Sequence, residues 1–277
     1  MDRIKKLFLL FLAGMILLPL ALIFVSSFME NNEAVLTYGG VLEGSSRASL
    51  VIMPAAPSLR PYADLFLYCR QFYVMFWNSV KDTACIVAGQ LLCSIPAAWA
   101  FAKLQIPMRK TLFAIYLILM MLPFQVTMLS SYFMLNKTGL LNTPSAFILP
   151  CIFSTFPVFV MTRFFGDLPD ELIDAARIDG AKDLQIFWHI GLPLGRSGIA
   201  AVTVLQLLEI WNTVEQPMFF IKEESYFPLA LFFPNLTPDT FGSSFVAAIV
   251  MMIPPLLVFL CGKEELAAGI GHIGMEK

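Results

Sequence analysis

Residues 165–196 read FGDLPDELIDAARIDGAKDLQIFWHIGLPLGR. Acids, bases, a glycine and a proline fall here at fixed distances, between long apolar runs. Pro169-Asp170 closes one run and opens a helix. Asp170 has the side chain of an N-cap, and Glu171 and Asp174 sit in the first turns, where the helix dipole favours negative charge. The helix is expected to reach Asp179, with Leu172, Ala175 and Ala176 on one face and Gly180 at the C′ position that ends it. A second helix is expected from Lys182, with Phe187, Ile190, Gly191 and Leu194 at i, i+3, i+4 and i+7. Pro193 then bends the chain into the next apolar run. The product is a helix–turn–helix bracket whose alanine-floored side suits a groove on another protein. An amphipathic connector resting on a lipid surface fits the same pattern.

Working outward, the chain of 277 residues is 58% hydrophobic and 14% charged, with mean hydropathy +0.76. A soluble domain carries about a quarter charged residues, so composition alone reads as a membrane protein. A helical span needs about 20 mostly apolar residues. Six stretches meet that test: 7–27, 82–102, 111–133, 144–164, 197–219 and 243–262. Each must be helical, because lipid offers backbone groups no partner. The expected fold is therefore an all-α integral membrane protein of six transmembrane helices with a cytoplasmic helix–turn–helix loop. The first stretch follows Arg3, Lys5 and Lys6 like a signal peptide, but it lacks a small-residue cleavage site and reads as an uncleaved span.

Basic residues set the orientation. With both ends cytoplasmic, the inner segments hold Arg3, Lys5, Lys6, Lys103, Arg109, Lys110, Arg163, Arg177, Lys182, Arg196, Lys263 and Lys277, twelve of the eighteen. The outer segments hold Arg47, Arg60, Arg70, Lys81, Lys137 and Lys222. That bias places the bracket in the cytoplasm. The expected organisation is a first span with its cytoplasmic start at 1–27, an extracytoplasmic loop at 28–77, a permease-like core at 78–274 and a short end at 275–277. The outer loop holds a Gly/Ser-rich turn region (Gly39, Gly40, Gly44, Ser45, Ser46) and is too short for an enzyme domain. No repeat period of 20–50 residues is visible. Prolines inside the apolar runs (Pro96, Pro123, Pro150, Pro157, Pro254, Pro255) suggest the kinked helices common in transporters.

Catalytic chemistry is poorly represented. Gly39-x4-Gly44 lacks the lysine of a phosphate-binding loop, and Gly269-x-Gly271-x2-Gly274 has no strand before it. His189 and His272 lack ligand-spaced partners, so no metal site is expected. The five cysteines form neither a disulfide framework nor a CxxC pair. A net charge of −2 and the lack of a basic patch speak against nucleic acid. In the fifth span Gln206, Glu209, Asn212, Thr213 and Gln216 fall within an arc of about 120° on one helix face. Glu215 lies off that face. Such a face reads as part of a substrate pathway, because an acid inside a span needs water or a partner. Packing between helices through polar side chains is the competing reading.

The spacing Asp174-Ala175-Ala176-x3-Gly180-x9-Ile190-x-Leu192-Pro193 resembles the EAA loop of ABC importer permeases. The surrounding sequence is similar to that of the maltose-type carbohydrate importers. Asn78-Ser79, Phe101-Ala102-Lys103, Gly139-Leu140-Leu141-Asn142-Thr143, Trp211-Asn212, Pro217 and Gly269 extend the likeness over 78–274. The resemblance implies a coupling helix that inserts into a groove on a cytoplasmic ATPase dimer. Glu171, Asp174, Ala175, Ala176, Gly180, Leu184, Ile190, Leu192 and Pro193 would form the coupling set. It also implies a second permease in a heterodimer and an extracytoplasmic solute-binding protein, in a bacterial-type plasma membrane. The chain would bind no cofactor itself, with ATP and Mg used by the partner ATPase. Asp174 stands where the family usually has glutamate, and 28–77 match poorly. The function implied is import of a carbohydrate. Import of another solute class is the alternative, and a membrane enzyme fits worst.

Overall fold

The computed structural model describes residues 2–42, 53–232 and 240–274. The Gly/Ser turn at 44–46, Arg47 and the end at 275–277 lie outside these residues. Among the described residues every regular element is helical, and the main ones are α1 Asp2–Ser26, α2 Asn31–Leu42, α3 Arg70–Lys103, α4 Arg109–Met120, α5 Phe124–Lys137, α6 Pro144–Ile152, α7 Thr155–Gly166, α8 Asp170–Ile178, α9 Asp183–Leu194, α10 Arg196–Trp211, α11 Glu215–Phe220 and α12 Phe241–Gly274. The segments Lys5–Ser26, Arg70–Lys103, Pro144–Gly166 and Phe241–Ala267 are each long and apolar enough to cross a bilayer. Two bent pairs, α4 with α5 and α9 with α10, bring the number to six if each pair is one span.

The chain forms two compact units, residues 1–76 with 229–254, and residues 77–228 with 255–277. In the first, α1 leaves its apolar side chains exposed along its length, as a helix surrounded by lipid does. Met29, Ala34 and Phe241 make a small core there, and Asn31 Oδ1 accepts the Gly242 amide at 2.8 Å.

The second unit carries the bracket. α3 is 34 residues long and continuous through Pro96, a rod of about 50 Å at 1.5 Å per residue. It begins at Arg70, well before the expected start at residue 82. Its last turns meet α7, α8, α9 and α10 in a core that includes Ala98, Trp99, Val158, Met161, Phe165, Ile173, Ile186, Phe187 and Val202. A second core joins Ile86 and Val87 of α3 to Phe147 and Cys151 of α6 and Ile210 of α10. Asn142 holds the loop before α6. It adopts φ +60, a conformation asparagine tolerates better than most residues, and its Oδ1 accepts the amides of Lys222 and Glu223, each at 2.8 Å.

Besides the early start of α3 and the division of 144–164 into α6 and α7, two expected spans differ from the structure. The stretch 111–133 is broken after Met120, and its two helices meet at 94°. Pro123 supplies no N–H and pushes Leu122 out of helical geometry, so a new helix starts behind it. The stretch 197–219 ends at Trp211. The helix closes through short bonds from Asn212 N–H to Glu209 O and from Thr213 N–H to Ile210 O. The chain then restarts as α11 at Glu215.

Candidate functional site

α7 ends at Gly166, and α8 begins at Asp170 after three intervening residues. Pro169, extended at φ −58 and ψ 127, occupies the N-cap position, so Asp170 is the first helical residue and not the cap. Its carboxylate instead accepts from Lys103 Nζ at 2.6 Å. That hydrogen bond and the lysine's charge hold the Asp170 carboxyl below the usual carboxylate range. A lowered value means the pair is complete at neutral pH and is lost only as pH falls through that value.

The far end of α8 closes as expected. Gly180 has φ +82. Its N–H bonds Arg177 O, and the Ala181 N–H bonds Ala176 O, both at 3.0 Å. This double bond pattern with a left-handed residue is the Schellman closure. Nothing crowds the Gly180 Cα, so the glycine is required by its backbone angle alone. Arg177 then staples the turn, reaching Asp174 at 3.4 Å and Asp183 at 3.1 Å. α9 starts behind Lys182, whose N–H is accepted by the Gln185 side chain at 2.8 Å.

Within α9, Phe187–Gly191 is wound as a π-helix, and Leu192 N–H bonds back to Phe187 O. The wider winding changes which side chains face inward. Ile186, Phe187 and Gly191 are buried, while Leu194, expected on the same stripe, is exposed. Gly191 lies against Trp99, where an added Cβ would come within 2.7 Å of the ring. The bend into α10 is 69° and falls at Gly195, two residues after the expected Pro193.

The expected coupling residues divide into two faces. Ala176, Ile190 and Leu192 are half-buried against the core, while Glu171, Asp174, Ala175, Gly180, Leu184 and Pro193 are exposed. Leu172 is exposed beside Ala175. Sequence reasoning missed Ile178, 86% exposed, and Trp188, also exposed. Ile178 follows Leu172 and Ala175 at steps of three, which was the available signal. Leu172, Ala175, Ile178, Leu184 and Trp188 thus give the bracket a set of exposed apolar residues. A cleft of about 390 Å³ is lined by Lys103, Arg109, Asp170, Asp174 and Arg177 among others.

The fifth-span polar residues do not form one continuous face, because α10 stops before three of them. Gln206 is 1% exposed and donates to Glu209 Oε2 at 2.8 Å. Glu209 and Asn212 are exposed, and Asn212 bonds Leu208 O. Thr213 binds Glu209 O at 2.9 Å. Gln216, on α11, accepts from Cys151 Sγ at 2.6 Å. The neighbouring Gln90 donates to Cys151 O at 2.9 Å. Gln90 and Asp82, buried polar residues of α3, were not singled out from the sequence. Among the described residues Asp82 Oδ2, Gln90 Oε1 and Gln206 Oε1 have no hydrogen-bond partner. Among the described residues no three His, Cys, Asp or Glu side chains converge as metal ligands.

Comparison with known proteins meets this geometry. The family model described as binding-protein-dependent transport system inner membrane component matches residues 91–262. The arabinooligosaccharides transport system permease protein AraQ of Halalkalibacterium halodurans is 30% identical over 263 residues, 94% of this chain and 91% of that protein. The lactose transport system permease protein LacG of Rhizobium radiobacter is 31% identical over 201 residues, 71% of this chain and 73% of that protein. The sn-glycerol-3-phosphate transport system permease protein UgpE of Pectobacterium atrosepticum is 25% identical over 265 residues, 92% of this chain and 90% of that protein. Among solved structures, a bacterial ABC transporter involved in import of the acidic polysaccharide alginate has a similar fold. Its TM-score is 0.78 at 20% identity, with 95% of each chain covered.

Proposed function

This chain belongs to the binding-protein-dependent transport system inner membrane component family, and from that premise we propose that it is one permease of an ATP-driven carbohydrate importer whose bracket docks a cytoplasmic ATPase. Permeases of such importers work with a second permease, an ATPase and a solute-binding protein. The carbohydrate reading rests on relatives named for arabinooligosaccharide and lactose transport. In this reading the second permease is a different chain, and the ATPase is a dimer that uses the ATP and Mg. Both termini are cytoplasmic, and residues 28–77 face outward.

The observation that carries the docking role is the exposed apolar set Leu172, Ala175, Ile178, Leu184 and Trp188 on a locally well-closed bracket. Burying each large member in a groove contributes roughly 1.5–3 kcal/mol before ordering costs. Charge favours a protein groove over lipid. Residues 165–196 hold six acids (Asp167, Asp170, Glu171, Asp174, Asp179, Asp183) against Arg177, Lys182 and Arg196. An interfacial helix on an anionic leaflet carries the opposite balance. Closure of the ATPase pair on ATP would displace the bracket and switch the pathway between inward- and outward-open states.

Glu209, Asn212 and Thr213 are the pathway candidates, supported by an acid left exposed within a span. Gln206 supports Glu209 from behind, and Gln216 tethers α11 to Cys151. Purification through a tag on this chain tests the reading. An ATPase and a second permease should co-purify, and an Ile178→Glu variant should lose the ATPase while keeping the permease. A chain that purifies without any ATPase would overturn it.

A further inference from the structure

We propose that Lys103 is a positioning residue that holds the bracket and α3 together as one moving body, so that displacement of the bracket is delivered directly to α3. The proposal rests on the docking reading and concerns how the docked motion enters the membrane.

Lys103 is the last residue of α3, and its side chain is only 4% exposed. An ammonium has three N–H donors, and here three oxygens receive them. They are Gly166 O at 3.3 Å, Leu168 O at 2.6 Å and Asp170 Oδ1 at 2.6 Å. Gly166 is the last residue of α7, Leu168 lies in the joint, and Asp170 opens α8. One side chain therefore bridges the whole connection at which the bracket would otherwise hinge. A buried ammonium is tolerated only when fully partnered, so the lysine cannot leave this socket without exposing its charge to another partner or to water.

The backbone that carries Lys103 is itself fixed. Arg109 Nη1 donates to Ala102 O at 3.1 Å and Leu104 O at 3.4 Å, closing carbonyls that the end of α3 leaves without helical partners. One turn earlier, Trp99 packs edge-on against Phe165 with centroids 5.4 Å apart, and against Phe187 at 5.8 Å. The bracket is thus attached to α3 at both of its helices, by charge at α8 and by aromatic packing at α9. Of the two attachments, only the first spans a chain break between helices.

The experiment uses spin labels on the native Cys93, exposed on α3, and on Asp179→Cys, exposed on the bracket and outside the apolar docking set, with the other four cysteines changed to alanine. The complex is purified through a tag on this chain and measured without nucleotide and with ATP, Mg and vanadate. The expected result is one narrow interspin distance that does not shift with nucleotide. In Lys103→Met the distribution should at least double in width and become nucleotide-dependent, while Lys103→Arg restores the narrow peak. Asp170→Asn, which keeps the shape of the acid, should broaden it less. A wild-type distance that shifts with nucleotide, or an unbroadened Lys103→Met, would overturn the proposal. Absence of a co-purified ATPase would count against the docking reading alone, because the width comparison between the variants is made on the permease itself.

Discussion

The bracket at 165–196 and the polar run at 206–216 were equally conspicuous as sequence, yet they fold by different rules. In the bracket, water supplies an alternative partner for every polar group, so each residue's place follows from local chemistry. Gly180 turns left-handed, Arg177 staples Asp174 to Asp183, and the apolar residues sort into a buried set and an exposed set. In the polar run a side chain must find a partner or a water-filled space, and a helical wheel does not say which. Gln206 and Glu209 shared one expected face, but the first is buried and the second exposed. Polar spacing is therefore informative at the membrane edge and ambiguous within it.

Four substitutions sharpen that contrast, here in order of expected effect. Gly180→Pro demands φ near −65° where the chain has +82. It should abolish uptake across a carbohydrate panel while the permease still inserts. Asp174→Lys should do the same, because it also sets a cation beside Arg177. Normal uptake in either variant would break the comparison on the bracket side. In the membrane run, Glu209→Gln should change the uptake KM by about tenfold, the equivalent of one lost charge-assisted hydrogen bond. Unchanged rate and selectivity would remove Glu209 from the pathway. Gln206→Leu should have the smallest effect, about threefold, since it removes only the buttress behind Glu209. An effect larger than that of Glu209→Gln would reverse their assigned roles.

The fold was legible in the sequence to the extent that long apolar runs announce helices. The bracket's helix–turn–helix form was legible as well, because Gly180 and the first-turn acids have local causes. The breaks were less so. Pro96 leaves α3 continuous, yet Pro123 sits at the N-cap of α5, and no local rule ranks two prolines in similar apolar settings. The π-helical turn at Phe187–Gly191 was invisible to a pattern that assumes 3.6 residues per turn, which is why Leu194 was placed inward. Lys103 was noticed only as an inner basic residue and as part of the Phe101-Ala102-Lys103 likeness. Its partners, Gly166, Leu168 and Asp170, lie more than sixty residues away, and a single sequence does not contain that distance. Trp188 and Ile178 were missed for a simpler reason: they lie outside the two stripes drawn at 172–176 and 187–194, and both are exposed.

The account's central claim is that the exposed apolar set of the bracket seats the ATPase. The most direct measurement is thiol cross-linking from Ile178→Cys in the purified complex, with Leu92→Cys on the exposed face of α3 as the control. The account predicts an adduct between this chain and the ATPase from position 178 and none from position 92. A complex that retains its ATPase yet gives no adduct from position 178 would contradict it.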